Sequence, residues 1–334
     1  MGKRILFRVD AGQSIGLGHY YRSYNLAKHL QSRGHYICFI HRPSDFWNNI
    51  ISDGVPFDVE ELGINEEQQM LNLITRGNFD LFYVDGILQF SNEFISCLKE
   101  SCKVVFYQNL SASRFYADVY ILPSLNSDEA FFDGFTPNSK VFKGLKYLLF
   151  NEKISSLKTM KSAIANEVRN IAIISGGSDP KNILMGLYGM IDYSQFPDIG
   201  FNFFIGEDFI HKDSIPANPI QNTVFMKFNH EQILTNDLLV SVFGVSSYEY
   251  MALGIPVISV AHQESNSQSA ETLSKSTQGL FHLGLFDSLT PNVLNKTLIR
   301  FCLDAKARGE LVMNAKKTID LKGIERVVKI IENV

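Results

Sequence analysis

Short apolar runs rich in β-branched and aromatic residues alternate with longer amphipathic stretches along this sequence. In the first half, stretches 19–34 and 66–77 carry apolar residues at helical spacing and predict helices. The apolar runs around them predict strands at 4–9, 36–41, 81–86, 104–109 and 119–123. Alternation of this kind is typical of a parallel sheet covered by helices on both faces. The sequence therefore predicts a doubly wound α/β unit.

The alternation pauses once and then restarts. Residues 150–167 are polar, mildly basic and without a clear strand. The second set of predicted strands comprises 170–177, 201–206, 222–228, 237–244 and 256–262. A chain of 334 residues is long enough for two domains of ordinary size. We therefore predict two Rossmann-like domains, 1–150 and 151–334, with a linker near 150–165.

Composition narrows the class of protein. A formal net charge of −4, with lysines and arginines scattered, argues against a nucleic-acid partner. No apolar run reaches the roughly 18 residues that a membrane span needs, so none is expected. The sequence enters its first predicted strand without an apolar leader, and the four cysteines lack a metal-like pairing; both features favour a cytoplasmic protein with free thiols. The chain also contains no Asp-x-Asp triplet, and we expect neither a metal nor another cofactor.

The turn after the first predicted strand contains three glycines and a histidine, in the segment "RVDAGQSIGLGHYYRSYNLAKHL" (8–30). Its spacing, Gly12, Gly16 and Gly18, does not match the dinucleotide fingerprint, and no acid follows the second strand. Glycines let the backbone approach a bulky ligand, and a helix N-terminus keeps His19 neutral and able to act as a base. Local capping or packing is the alternative for His19. Asp10 either orients His19 by a hydrogen bond or braces the loop.

The second half carries two further loops of phosphate-binding type. "ISGGSDPKN" (174–182) places Gly176, Gly177 and Ser178 between a strand and a helix. "SVFGVSSYEYMALGIPVISV" (241–260) places Ser246 and Ser247 at the start of another helix. Glu249, just inside that helix, is a candidate acceptor for ribose hydroxyls. Together with Gly18, the glycines and serines of these loops are our candidates for binding the phosphates of a nucleotide.

Five blocks of the sequence resemble, in order, a known family. They are "RVDAGQSIGLGHYYRSYNLAKHL", "GGSDPKN", "SSYEYMALGIP", "HQESNSQSAETL" and "IDLKGIERVVKII". The family is the UDP-2,4-diacetamido-2,4,6-trideoxy-β-L-altropyranose hydrolases of pseudaminic acid biosynthesis, which are similar in turn to MurG-like enzymes of the glycosyltransferase B fold. The resemblance implies two Rossmann-like domains facing a cleft, with a UDP-sugar as substrate.

The resemblance also implies roles for individual residues. His19 activates water for attack at the anomeric carbon, and UDP leaves with inversion. Gly176, Gly177 and Ser178 lie near the pyrophosphate, Ser246 and Ser247 hold phosphate, and Glu249 binds ribose. The residues implied at the sugar are Arg22, Asp85, Tyr147, Gln263, Glu264 and Ser265.

The chain departs from the family at two places, and several alternatives stay open. The family has Asp-His-Tyr where this chain has Asp85 followed by Gly86 and Ile87, and paired Asp where it has Gln108 and Asn109. A hydrolase, an inverting glycosyltransferase that uses an acceptor hydroxyl in place of water, and a nucleotide-sugar binding protein without catalysis all fit this sequence. Two aromatic runs, 46–51 and 131–135, form either an acceptor wall or part of the core. His262 either contacts the ligand or packs locally.

Overall fold

The computed structural model describes residues 2–12, 17–125, 128–157 and 164–334. These form two compact units, unit 1 (Met1–Glu152 with Lys322–Val334) and unit 2 (Lys153–Leu321). Residues 158–163 of the predicted linker lie outside the described residues, as does Gly16 of the glycine turn.

Unit 1 contains a sheet of seven strands in the order β3-β2-β1-β4-β5-β6-β7, all paired in parallel. Its strands are β1 (Arg4–Val9), β2 (Tyr36–His41), β3 (Asp58–Glu61), β4 (Leu81–Asp85), β5 (Lys103–Tyr107), β6 (Val119–Leu122) and β7 (Lys140–Lys143). Its first helices are α1 (Gly18–Gln31), α2 (Asp45–Asp53), α3 (Glu66–Gly77) and α4 (Asn92–Ser101). The short helix α5 (Glu152–Ser156) follows at the boundary with unit 2.

Unit 2 repeats the same plan. Six parallel strands lie in the order β10-β9-β8-β11-β12-β13. They are β8 (Asn170–Ile174), β9 (Gly200–Ile205), β10 (Thr223–Lys227), β11 (Leu238–Val242), β12 (Val257–Ala261) and β13 (Phe281–Leu285). The helices are α6 (Ile183–Met190), α7 (His230–Leu234), α8 (Val245–Leu253), α9 (Glu264–Thr277), α10 (Pro291–Leu303) and α11 (Ala305–Thr318). The prediction of two doubly wound α/β domains is confirmed.

The last helix, α12 (Gly323–Glu332), belongs to unit 1, so the predicted extent of the second domain, 151–334, is wrong for this segment. Its apolar face, which includes Val327 and Ile331, is buried in the same core cluster as Leu26 and Leu30 of α1. Lys3 adds hydrogen bonds from its ammonium group to the backbone oxygens of this helix and the C-terminus. Burial of that apolar face is the physical reason for the return of the chain to unit 1.

Ten predicted strands are present, and three strands were missed: β3, β7 and β13. All three lie at an edge of their sheet, and none contains a fully buried residue. An edge strand lacks the apolar run by which central parallel strands are found. The pattern therefore predicts the middle of each sheet better than its borders.

The two aromatic runs contribute to packing in unit 1. Trp47 is completely buried in the core cluster that contains α1 and α12. Phe131, Phe132 and Phe135 pack against the core cluster on the side of α3 and α4. The core interpretation of both runs is therefore the one that the structure favours. Within the described ranges, none of the helices is long and apolar enough to cross a bilayer.

Candidate functional site

The carboxyl ends of β1 and β4 bring the unit 1 candidates together. These strands are neighbours, with Val9 opposite Asp85 at their ends. Helix α1 begins at Gly18, so His19, Arg22 and Ser23 fall on one helical face at spacings of three and four residues. That face and the end of β4 therefore meet at the edge of the sheet where α/β proteins bind ligands.

The carboxylate of Asp85 is the centre of this cluster and is almost fully buried. Its Oδ1 lies 2.8 Å from His19 Nδ1 and accepts a hydrogen bond from Arg22 Nη2. Its Oδ2 accepts hydrogen bonds from Arg22 Nε at 2.6 Å and from Ser23 Oγ at 2.9 Å. Each oxygen thus takes part in two contacts, which uses the full acceptor capacity of a carboxylate.

The contact with the Asp85 carboxylate favours one tautomer of His19. An unprotonated Nδ1 would place its lone pair against Asp85 Oδ1, so Nδ1 carries the proton and donates it to that oxygen. Arg22 Nη2 also lies 2.8 Å from Nδ1, but its donor is satisfied by Asp85. The lone pair of His19 is then on Nε2, and the imidazole, whose side chain is 25% exposed, is able to accept a proton there.

Charge within the cluster fixes the ionisation of Asp85. Burial on its own raises the pKa of this carboxyl, but the Arg22 guanidinium and the hydrogen bonds from Arg22 and His19 outweigh that effect, so the pKa lies below its usual range. Burial lowers the pKa of Arg22, but the charge of Asp85 raises it by more, and the net direction is upward. Arg22 and Asp85 are therefore an ion pair that positions His19. Their polar groups are committed to one another and to His19, although the resemblance implied sugar contacts for both.

Asp10 does not orient His19. Its carboxylate accepts hydrogen bonds from the guanidinium of Arg8, including Nη2 at 2.9 Å, and from the backbone N–H of Arg42 at 2.8 Å. Of the two roles open to Asp10, bracing the end of β1 is the one that the structure supports. Asp85 is the carboxylate that orients His19.

Tyr147 and Asn109 have structural roles in unit 1. The Tyr147 ring is 8% exposed and belongs to the hydrophobic core, so the structure does not place it at the His19 cluster. Asn109 is completely buried, and its side chain donates to Leu88 O and accepts from Ser111 N, joining the loops after β4 and β5. Ile87, by contrast, is 65% exposed only two residues after Asp85.

In unit 2, two adjoining cavities lie at the carboxyl ends of the strands. The smaller, about 400 Å³, is lined by the loop after β8, the start of α8, His262 and Asn266. The larger, about 840 Å³, is lined by Gly206 and Phe228 among others. The residues common to both cavities are Gly176, Gly177 and Ser246. The structure thus brings the glycine loop and the α8 N-terminus together.

The N-termini of α6 and α8 differ in their availability to an anion. The backbone N–H groups of Ile183 and Leu184, in the first turn of α6, donate to the carboxylate of Asp179 at 2.9 and 2.8 Å. That helix end is already occupied by a carboxylate. Helix α8 follows Gly244 and has no side-chain cap, so its N-terminus suits a phosphate group. The structure therefore leaves the N-terminus of α8, and not that of α6, open to an anion.

The serine pair at the start of α8 divides into two roles. Ser246 lines both cavities. Ser247 is completely buried, and its hydroxyl lies 2.9 Å from that of Ser241 in β11. The structure therefore makes Ser247 part of the packing between α8 and the sheet, and Ser246 the member available to a ligand.

Glu249, in α8, is 7% exposed, and burial raises its pKa to about 7. The Glu249 carboxyl has no hydrogen bond to any residue that the structure describes. A carboxyl kept partly protonated by burial is unusual outside sites that bind a ligand. Its charge at neutral pH therefore carries a free-energy cost in the ligand-free protein.

We expect Glu249→Gln to change how stability depends on pH. Between pH 4.5 and about 7 the unfolded chain releases this proton while the folded protein keeps it, so stability falls as pH rises through that window. Relative to Glu249→Gln, the wild type should lose roughly 3 kcal/mol of unfolding free energy by pH 8. Urea unfolding of both proteins at pH 4.5 and pH 8 measures the difference, and the exposed Glu231→Gln is the control. Parallel pH profiles for wild type and Glu249→Gln would show that Glu249 is not strained.

The remaining sugar candidates lie at the start of α9. Gln263, Glu264 and Ser265 are exposed and line neither cavity, whereas Asn266 lines the smaller one. Sequence reasoning missed Asn266, and also Gly206, Lys227 and Phe228 in the larger cavity. Gly206 follows a predicted strand, which is a usable signal, but nothing in the sequence marks Lys227 or Phe228.

Gly206 lies against the backbone of the glycine loop. Replacing it therefore tests whether this loop and the larger cavity bind a nucleotide. A Cβ at this position would lie 2.2 Å from Gly177 O and 2.3 Å from Gly176 O, so Gly206→Ala must displace the loop. We expect its affinity for UDP to fall by at least about tenfold. The matched control is Gly189→Ala, where a Cβ meets no atom within 4 Å and the helix gains about 0.5–1 kcal/mol. Equal UDP affinities in isothermal titrations of both variants would exclude the glycine loop from the nucleotide site.

Comparison with solved structures identifies the fold. MurG of Acinetobacter baumannii aligns with a TM-score of 0.71 at 15% identity, covering 99% of this chain and 100% of the other. The calicheamicin glycosyltransferase CalG4 aligns with a TM-score of 0.65 at 14% identity, covering 99% and 98%. This is the glycosyltransferase B fold. At these identities the likeness concerns the fold alone.

Three relatives match the sequence at 22% to 27% identity. No family model matches the chain. The spore coat polysaccharide biosynthesis protein SpsG of Bacillus subtilis is 22% identical over 98% of this chain and 97% of its own length. An uncharacterized protein of Methanocaldococcus jannaschii is 27% identical over 78% of this chain, which spans 56% of that relative. The UDP-2,4-diacetamido-2,4,6-trideoxy-β-L-altropyranose hydrolase of Campylobacter jejuni is 24% identical over 54% of this chain and 62% of its own length.

Proposed function

We propose that this protein is a nucleotide-sugar hydrolase that cleaves the anomeric C–O bond of a UDP-activated amino-deoxy sugar with inversion and releases UDP. The observation that carries the proposal is the His19 cluster, in which the Asp85–Arg22 ion pair holds the imidazole with its Nε2 lone pair available. The uncapped N-terminus of α8 beside two cavities supports a diphosphate-bearing substrate. The names of SpsG and of the Campylobacter hydrolase support a role in the chemistry of activated sugars.

The proposed reaction assigns one task to each unit. In unit 2, the α8 N-terminus and Ser246 stabilise the diphosphate as it takes the electron pair of the breaking C–O bond. In unit 1, His19 Nε2 removes a proton from water while the water oxygen bonds to the anomeric carbon, a role worth about 10²–10⁴-fold in rate. The Asp85 carboxylate stabilises the imidazolium that forms. Attack of the water oxygen on the face of the anomeric carbon opposite the departing diphosphate gives inversion.

An inverting glycosyltransferase is the second candidate, and Ile87 is the observation that favours it. This side chain exposes an apolar surface two residues after Asp85, where the family that the sequence resembles has tyrosine. Such a surface suits an acceptor that displaces water and offers its hydroxyl to His19. The fold of MurG and CalG4 is compatible with both reactions.

Turnover without an acceptor distinguishes the two candidates. A panel of UDP- and CMP-sugars that includes the diacetamido-trideoxy-altrose compound is incubated with the purified protein, and free nucleotide and free sugar are quantified by chromatography. Stoichiometric release of UDP and sugar supports the hydrolase. Tight binding of a UDP-sugar with negligible release supports the transferase. Absence of binding to every UDP compound would contradict both.

A further inference from the structure

Two buried polar atoms without partners belong to residues of the smaller cavity of unit 2. Ser175 follows β8, is 7% exposed, and its hydroxyl has no hydrogen-bond partner. His262 follows β12, and its Nδ1 is buried without a partner. Both residues line the cavity of about 400 Å³. Because an unsatisfied buried polar group costs about 1–3 kcal/mol, two of them at one cavity point to a ligand that is absent from this structure.

The other side chains of this cavity leave an anion short of donors. The Asp179 carboxylate lines the cavity and also occupies the first amides of α6. Lys181 lines it as well, but its ammonium group donates to Asp287 at 2.7 Å. Neither of these charged side chains is therefore free to hold an anion in this cavity. A diphosphate held here needs further donors, and Ser175 and His262 are in position to supply them.

The chemistry of His262 fits this task. Its buried Nδ1 contacts no donor and no acceptor, and a phosphoryl oxygen supplies the acceptor that this atom lacks when Nδ1 carries the ring proton. A neutral imidazole in that tautomer donates one N–H hydrogen bond. The Ser175 hydroxyl donates a second after rotation about its Cα–Cβ bond. Both donors suit a phosphoryl oxygen.

The different linings of the two cavities indicate which phosphate of a nucleoside diphosphate the smaller cavity binds. The larger cavity has apolar and aromatic walls, including Ile205 and Phe228, which suit a nucleoside. The residues shared by both cavities lie between that nucleoside and the smaller cavity. We propose that Ser175 and His262 form a subsite for the phosphate farther from the nucleoside, the one that carries the sugar. This inference rests on the proposed function, since it assumes that unit 2 binds a nucleoside diphosphate.

Paired titrations with UDP and UMP test the subsite. The variants are Ser175→Ala, His262→Ala and His262→Asn, the last of which keeps a donor near the position of Nδ1. We expect the alanine variants to bind UDP at least about tenfold more weakly than wild type, as expected for a lost hydrogen bond to a charged group, and to bind UMP within about twofold. His262→Asn should retain most of the UDP affinity. The controls are Ser96→Ala and His29→Ala, at exposed helical positions of unit 1.

The outcomes separate this inference from the proposed function. If wild type binds UDP but the variants bind it equally well, or lose UDP and UMP affinity to the same extent, the subsite is wrong and the proposed function stands. If wild type binds neither UDP nor UMP, the proposed function is wrong and the subsite with it. Circular dichroism of each variant shows whether it is folded, and the conservative His262→Asn carries the test if His262→Ala is not.

Discussion

Replacing Asp85 with Asn is expected to reduce the turnover number by about 10²–10⁴-fold, close to the full contribution of a general base. The amide cannot accept the four contacts that the carboxylate now makes, and its NH₂ group would oppose the Nδ1–H of His19. His19 would then favour the tautomer with its proton on Nε2, which is unable to take a proton from water. UDP affinity should stay within about twofold, since the candidate nucleotide residues belong to unit 2.

The same substitution should also destabilise unit 1. Arg22 would remain buried without its counter-charge, and breaking one partner of such a pair costs about 3–5 kcal/mol. Urea unfolding measures this loss, and turnover is assayed at a temperature where the variant is folded. The matched control is Ser23→Ala, which removes one hydrogen bond to the same carboxylate at a cost of about 1 kcal/mol. Turnover by a folded Asp85→Asn protein within about threefold of wild type would show that Asp85 does not position the base.

Replacing His19 with Gln is expected to lower turnover by about 10²–10⁴-fold while leaving the dissociation constant for UDP unchanged. Glutamine has no basic nitrogen, but it keeps a polar side chain next to Asp85 and Arg22. The control is His29→Gln, an exposed position on the same helix whose Nδ1 contacts only the backbone of Asn25. Turnover and UDP titrations on the same preparations separate the chemical step from binding. A variant that loses UDP affinity but keeps its turnover number would assign His19 to binding.

The fold was largely predictable from the sequence because central parallel strands are buried on both faces and read as apolar runs. The edge strands β3, β7 and β13 were missed since their residues are half exposed. The return of α12 to unit 1 was missed for a different reason. Its apolar face is visible in "IDLKGIERVVKII", but the sequence does not state which sheet that face covers.

The candidate site was predictable where one loop carries the signal. His19, Gly176 and Gly177 can be recognised from the sequence of their own loops. The structure places them at the carboxyl ends of the strands of their sheets. The partner of His19 was not predictable in this way. Asp10 is nearer in sequence, but the two-residue spacing in β1 places it against Arg8. Asp85, 66 residues from His19, reaches it because β1 and β4 are neighbours in the sheet.

In unit 2 as well, sequence spacing does not predict which side chains contact one another. In the motif around 174–182, Asp179 is a plausible N-cap of the following helix, and its carboxylate does accept hydrogen bonds from the first amides of α6. Whether a helix N-terminus is open depends on side-chain rotamers that spacing does not determine. The roles of Ser246 and Ser247 likewise differ only by the direction each takes from α8, toward the cavities or toward β11.

The central claim is that a nucleophile deprotonated by His19 displaces UDP from the anomeric carbon in one step. The most direct test is proton NMR of the first sugar product formed from the UDP-sugar that the wild-type protein turns over, recorded before the anomers equilibrate. A single displacement predicts a product whose anomeric configuration is opposite to that of the substrate, and its formation should be lost in His19→Gln. A first product with retained configuration would contradict the account, because it requires either two displacements or attack from the face of the leaving group.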